Sequence, residues 1–192
     1  MSKIVLFTSL TLDGVMQAPG RPDEDTRGGF KHGGWATPYA DEAFGRLASE
    51  GMANTGALLL GRRTYEDILP FWNEAGGPFK GMLNNTPKYV ASTKLRELPW
   101  ANSTLLEGDV AKAVAGLRKK AGKDILVLGS GKLAQTLMSA DLVDAYVLLI
   151  HPLILGSGSR LFPAGGPTNR LKLSDTTSTK TGVVFATYGR ES

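Results

Sequence analysis

Cysteine is absent from the 192 residues, and only two histidines occur, His32 and His151. The first absence excludes a disulfide, an iron–sulfur cluster and a thiol nucleophile. Two histidines far apart in sequence, with no thiolate beside them, leave no zinc-site pattern, so no metal is expected. No apolar run approaches the roughly 18 residues of a membrane span. Met1-Ser2-Lys3 runs directly into Ile4-Val5-Leu6-Phe7-Thr8, without the long apolar region and small-residue cleavage site of a secretory signal. A cytoplasmic protein with no membrane partner is the expectation. No Gly-x-Ser-x-Gly elbow exists, so serine-hydrolase chemistry lacks its motif. Basic residues are not clustered among aromatics, as a nucleic-acid binder would have them. The densest basic run, Arg118-Lys119-Lys120 with Lys123, falls at the end of a predicted helix, where cations favour the dipole. A net charge of +4 therefore suits a solvated surface or a small phosphorylated ligand better than nucleic acid.

What is present is an ordinary globular mixture, 42% apolar and 21% charged. A chain of this length buries roughly 70% of its unfolded surface, and one domain over residues 1–192 is expected. Apolar runs at residues 4–8, 57–60 and 125–128 predict buried strands, and 88–91, 103–106 and 143–150 read as further strands. Between them, Thr37 and Pro38 read as the N-cap and N1 of a helix over 38–54. Asp109 reads as the cap of a helix whose Val110, Ala113, Val114, Leu117 and Ala121 recur with helical spacing, with Gly122 as its stop. A further helix is predicted over 132–139, and residues 70–78, rich in Gly, Pro and aromatics, read as a loop in which Trp72 packs. Residues 171–177 and 182–188 predict an antiparallel pair. Alternation of apolar strands and helices implies an α/β class with a mostly parallel sheet covered on both faces, closed by an antiparallel edge. Residues 14–34 carry no apolar period, and a structureless segment of that length is usually functional.

Two strand-to-helix junctions could carry chemistry. Leu128-Gly129-Ser130-Gly131-Lys132-Leu133-Ala134 has the G-x-G-x-x-A pattern, in which glycines admit a pyrophosphate to a helix N-terminus. A tight turn needing positive φ would give the same spacing. It is not a Walker A loop, since leucine follows Lys132, and the acid of a Rossmann ribose site is missing from Leu149-Ile150-His151-Pro152. The second junction, Leu60-Gly61-Arg62-Arg63-Thr64-Tyr65-Glu66, sets two arginines beside a strand-end glycine, which suits phosphate as well as a solvated turn. Val90-Ala91-Ser92-Thr93-Lys94 ends a strand in two hydroxyls and a cation.

Together with Ser9-Leu10-Thr11-Leu12-Asp13-Gly14 and Pro152-Leu153-Ile154-Leu155-Gly156-Ser157-Gly158, these motifs resemble, in order, the dihydrofolate-reductase-like superfamily. Within it, the chain is most similar to the RibD C-terminal (riboflavin-biosynthesis reductase) family, over nearly its whole length. The resemblance implies a three-layer α/β/α fold and an NADPH-dependent reductase acting on a small heterocycle such as a pterin, a pyrimidine or a related carbonyl or imine. A non-catalytic NADP(H)-binding protein is the alternative. It further implies that Gly61, Arg62, Arg63, Thr64, Ser92 and Thr93 cradle the 2′-phosphate side. Gly129, Ser130, Gly131, Lys132 and Leu133 would meet the pyrophosphate. Leu12, Gly14 and Val15 would lie over the nicotinamide, with residues 14–34 as a lid and a homodimer as the assembly. The zinc-binding deaminase domain of bifunctional relatives has no counterpart here. For the proton that accompanies hydride transfer, Asp41 borders the apolar stripe of Phe44, Ala48 and Met52 while Glu42 points away. Asp13, at the first strand end, is the other candidate, although acids at such places commonly compensate a dipole or form a turn.

Overall fold

The computed structural model describes residues 1–119 and 122–191. In chain order the elements are β1 (Ile4–Thr11), α1 (Glu42–Met52), β2 (Thr55–Gly61), α2 (Arg62–Ala75), α3 (Gly77–Asn85), β3 (Lys88–Ala91), β4 (Ser103–Leu106), α4 (Val110–Arg118), β5 (Asp124–Leu128), α5 (Gly131–Ser139), β6 (Ala145–His151), β7 (Leu171–Ser178) and β8 (Val184–Arg190). The strands follow the order β4-β3-β2-β5-β1-β6-β8-β7 in a mixed sheet. The chain divides into two compact units, Met1–Val5 with Asn54–Val143, and Leu6–Ala53 with the chain from Asp144 onward.

In the first unit every strand pair is parallel: β2 with β3, β2 with β5, and β3 with β4. Residues Ala57, Leu58, Leu59 and Leu60 of β2 are all buried, as expected of a strand covered on both faces. Tyr65 and Leu69 of α2, Val114 of α4, and Leu133, Ala134, Leu137 and Met138 of α5 are the buried helical residues. Asp109 caps α4 as the sequence predicts, its carboxylate accepting from the Lys112 amide. That helix ends at Arg118 with Lys119 as its cap, short of the expected stop at Gly122. Lys120 and Ala121 lie outside the described residues.

The expected loop at 70–78 is instead helical. Pro70 sits inside α2, where it removes one backbone donor. Side chains add bonds nearby: Asn73 donates to the Leu69 carbonyl, and Asn73 and Asn84 exchange amide hydrogen bonds that tie α2 to α3. Trp72 packs edge-on against Phe71 and Phe79. Gly76, at φ 79°, makes the turn between the two helices. Beneath α3, Lys88 is 1% exposed, and its ammonium donates to the carbonyls of Leu83, Thr86 and Asn84 at 2.7, 2.9 and 3.4 Å.

In the second unit, β6 pairs antiparallel with β8, and β8 with β7, the antiparallel edge that the sequence predicts. Helix α1 starts later than expected. Thr37–Tyr39 forms one 3-10 turn, Ala40 is extended, and Asp41 is the N-cap, accepting from the Phe44 amide at 2.6 Å. The segment 14–34 is irregular but built around its own core. Val15, Ala18 and Phe30 cluster with Trp35, and the Trp35 indole donates to the Gln17 carbonyl. The Gln17 amide donates to the carbonyls of Asp25 and Arg27. Gly158 has to be glycine here, since a Cβ would come within 2.7 Å of Phe30 and Val15.

Candidate functional site

The registers of the first unit set three motif-bearing turns side by side. Gly61 lies opposite Ala91, and Leu59 opposite Val127, so β3, β2 and β5 end at nearly one level. Arg62, Arg63 and Thr64 follow β2, Ser92 and Thr93 follow β3, and residues 129–133 follow β5. The connections diverge: α2 and α3 carry the chain from β2 to β3, whereas α5 leaves β5 toward strands on its other side. In open α/β sheets, ligands bind outside the carboxyl ends of the strands at such a switch point.

The helix starts differ in their caps, and α4, which follows β4 at this same edge, is one of those that carry an acid. Helices α1 and α4 start on aspartates, which would repel an anion. Neither α2 nor α5 has a side-chain bond from its own N-cap residue, and neither has an acid in its first turn. Their leading amides and positive dipole ends remain for an anion. Arg62 is paired with Glu66 one turn along α2 at 2.6 Å. Arg63 is exposed, and its side chain makes no hydrogen bond or ion pair with any described residue. The Ser92 hydroxyl accepts from the amides of Lys94 and Leu95, which leaves its proton to donate. Thr93 and Lys132 are exposed.

Two expected contacts take a different form. Leu133 is 7% exposed, so its side chain belongs to the core and only its amide stands at the helix start. The Gly61 amide is not free for phosphate, because it donates to the Ser130 hydroxyl at 2.8 Å. The same hydroxyl donates to Thr64 Oγ1 at 2.8 Å. Gly129 and Ser130 both have left-handed backbone, with φ 56° and 62°.

In the second unit, residues 12–16 form a hydrogen-bonded turn. Leu12 is 63% exposed and Gly14 takes φ 78°. Val15 is fully buried, and both its amide and its carbonyl bond to Thr11, so its expected place against a cofactor is filled by the protein itself. Asp13 accepts from the Thr11 hydroxyl at 2.6 Å and from the amides of Leu155 and Gly156 at 3.2 and 2.9 Å. Arg160 adds an ion pair to the carboxylate and a bond to the Asp13 carbonyl. The Thr11 hydroxyl, then the two amides, lower the Asp13 pKa from 3.8 to about 2 against the opposing effect of burial. These donors hold Asp13 as an anion. The helical-phase argument for Asp41 needs correction, since Asp41 stands outside the helix as its cap.

Sequence reasoning missed Ser159 and Arg160, Gln17, Lys88 and the environment of His151. The His151 ring is completely buried, packed against Trp35, Tyr39 and Phe44, and desolvation lowers its pKa. Its apolar neighbours in sequence were the available signal. Among the described residues no group of three or more His, Asp or Glu is placed to hold a metal ion, and no helix is long and apolar enough to cross a membrane.

The model of the RibD C-terminal domain family matches residues 2–185. The chain belongs to the RibD C-terminal domain family. Family membership implies a reductase-type role. A curated relative, the uncharacterized protein YyaP of Bacillus subtilis (strain 168), is 27% identical over 97% of this chain and 94% of its own length. YwjB, an uncharacterized protein of the same organism, is 23% identical over 91% and 90%. Among solved structures, a "Putative riboflavin biosynthesis protein" from Shewanella sp. PV-4 aligns over 100% of both chains with TM-score 0.70 and 22% identity. A pyrimidine reductase-like protein from Corynebacterium diphtheriae NCTC aligns over 100% of this chain and 92% of its own, with TM-score 0.67 and 16% identity. At these identities the structural likeness establishes the α/β fold of this RibD-type chain.

Proposed function

We propose that this RibD-type chain, acting as one reductase domain over residues 1–192, transfers a hydride from NADPH to a small heterocyclic carbonyl or imine. A pterin or a pyrimidine is the substrate class. The observation that carries the reading is the switch-point edge of the first unit, where two helix starts without acidic caps lie beside Arg62, Arg63, Ser92 and Thr93. Chemically, that donor set fits a dianionic 2′-phosphate and a pyrophosphate. In this reading Arg62, Arg63, Thr64, Ser92 and Thr93 hold the 2′-phosphate, and the leading amides of α5, with Lys132, hold the pyrophosphate. Leu12 and Gly14 are assigned to the nicotinamide end by family alone. When bound, NADPH supplies the hydride; the protein supplies orientation and exclusion of water. Of the two carboxylates, Asp41 is the one proposed to hold the proton, because Asp13 is already committed. A cytoplasmic homodimer remains part of the proposal.

The test is a titration of NADPH and NADH by calorimetry or tryptophan fluorescence. One charge-assisted hydrogen bond of ~1.5–3 kcal/mol suffices for a preference of at least about tenfold, and such a preference for NADPH is the expected outcome. Equal affinities would refute the phosphate assignment. The anionic state of Asp13 favours one second reading, an NADP(H)-binding protein without turnover. Tight NADPH binding with no oxidation in the presence of pterins, pyrimidines and simple carbonyls would support it.

A further inference from the structure

We infer that Ser130 is a positioning residue that sets the preference for NADPH over NADH, acting through the turn that bears Arg62 and Arg63. The inference rests on the NADPH reading above. Ser130 occupies left-handed backbone, φ 62° and ψ 58°, a region that favours glycine and penalises a Cβ. As the second of two successive left-handed residues, this position would be served more easily by glycine if it were only a turn. What serine adds is its hydroxyl, and the hydroxyl is fully used across the switch point. It accepts the Gly61 amide at 2.8 Å, and its one proton goes to Thr64 Oγ1 at 2.8 Å, nearer than the Leu128 carbonyl at 3.2 Å. Gly61 is the N-cap of α2 and has no side chain to cap with. Ser130 therefore holds the N-cap residue of α2 from 69 positions away in sequence while opening α5 itself.

The fit around this staple is close. A Cβ on Gly61 would come 3.3 Å from Ser130 Oγ, and a Cβ on Gly129 would come 3.5 Å from the Thr64 methyl. The two helix starts are thereby fixed relative to each other through one hydroxyl. A dinucleotide carries its pyrophosphate and its 2′-phosphate on one framework of limited flexibility. Its two anionic groups are both satisfied only if the two turns keep their spacing. NADH has the pyrophosphate alone, so it needs the α5 turn but not the correct placement of Arg62 to Thr64. Loosening the staple thus weakens NADPH more than NADH. A staple that served only the stability of the unit would lower both affinities together or neither.

Two variants separate these cases. Ser130→Gly removes the hydroxyl and also removes the backbone penalty, and Ser130→Ala removes the hydroxyl while keeping the penalty. Dissociation constants for NADPH and NADH are measured by calorimetry on the wild type and both variants, with thermal melts in parallel. The expected result is a fall in the NADPH preference from at least about tenfold to about twofold in both variants, with Ser130→Gly melting close to the wild type. Retention of the wild-type preference in Ser130→Gly, whatever its melting temperature, overturns the inference and leaves the NADPH reading standing. Parallel loss of both cofactors also overturns it, since Ser130 would then be a pyrophosphate contact. A wild type without any preference removes the NADPH reading, and the inference with it.

Discussion

Replacing Asp13 by asparagine tests whether the turn after β1 is held by charge. The carboxylate receives the Thr11 hydroxyl, the amides of Leu155 and Gly156, and the Arg160 guanidinium. An asparagine of the same shape loses the charge and turns one acceptor into a donor facing other donors. The pKa depression from 3.8 to about 2 corresponds to about 2 kcal/mol at 1.36 kcal/mol per unit. The side chain keeps 18% exposure, so water screens part of this, and about 1–2 kcal/mol is expected at pH 7. For a chain of this size that is a drop of roughly 2–8 °C in melting temperature. The sign with pH follows from the direction of the shift. A carboxylate whose folded pKa is depressed contributes fully above its unfolded value and loses that contribution as pH falls through the folded one. The gap between wild type and Asp13→Asn should therefore be constant from pH 7 to about 5. It should shrink by about half at pH 3. Urea unfolding of both proteins at pH 7, 5, 4 and 3 measures this. A gap that is the same at pH 3 as at pH 7 would refute the electrostatic account and assign the loss to packing.

Lys88→Met is expected to destabilise the protein by about 2–4 kcal/mol, because carbonyls at the end of α3 lose their buried donor and no water replaces it; a urea melt followed by circular dichroism measures the loss, and a change under 0.5 kcal/mol would mean those carbonyls find other partners. Asp41→Asn keeps an effective N-cap, so stability should change by less than about 0.5 kcal/mol, while turnover with a pterin or pyrimidine substrate should fall by about 10²–10⁴. Unchanged turnover would take the proton donor away from Asp41.

Strands and their ends were legible in the sequence because a strand covered on both faces must be apolar throughout. Thus 57–60 and 125–128 announce themselves, and Gly61 and Gly129 mark where they stop. The Asp109 cap was legible for a similarly local reason, since an N-cap bonds within three residues of itself. The three motif-bearing turns could be named but not joined. Their adjacency is set by the parallel registers of β3, β2 and β5, which link residues dozens of positions apart. Residues 70–78 misled because proline and glycine weaken a helix locally, while the packing of Tyr65, Leu69 and Trp72 and the Asn73–Asn84 amide pair outweigh that weakness only in three dimensions. Asp41 looked like a first-turn residue until Ala40 proved extended. Asp13, Lys88 and Ser130 were decided by tertiary structure alone. A carboxylate, an ammonium or a hydroxyl takes its role from the donors and acceptors around it. For Ser130 the decisive partners lie far along the chain; Asp13 joins the nearby Thr11 hydroxyl to the distant amides of Leu155 and Gly156; and for Lys88, whose acceptors are near in sequence, burial beneath α3 settles the matter.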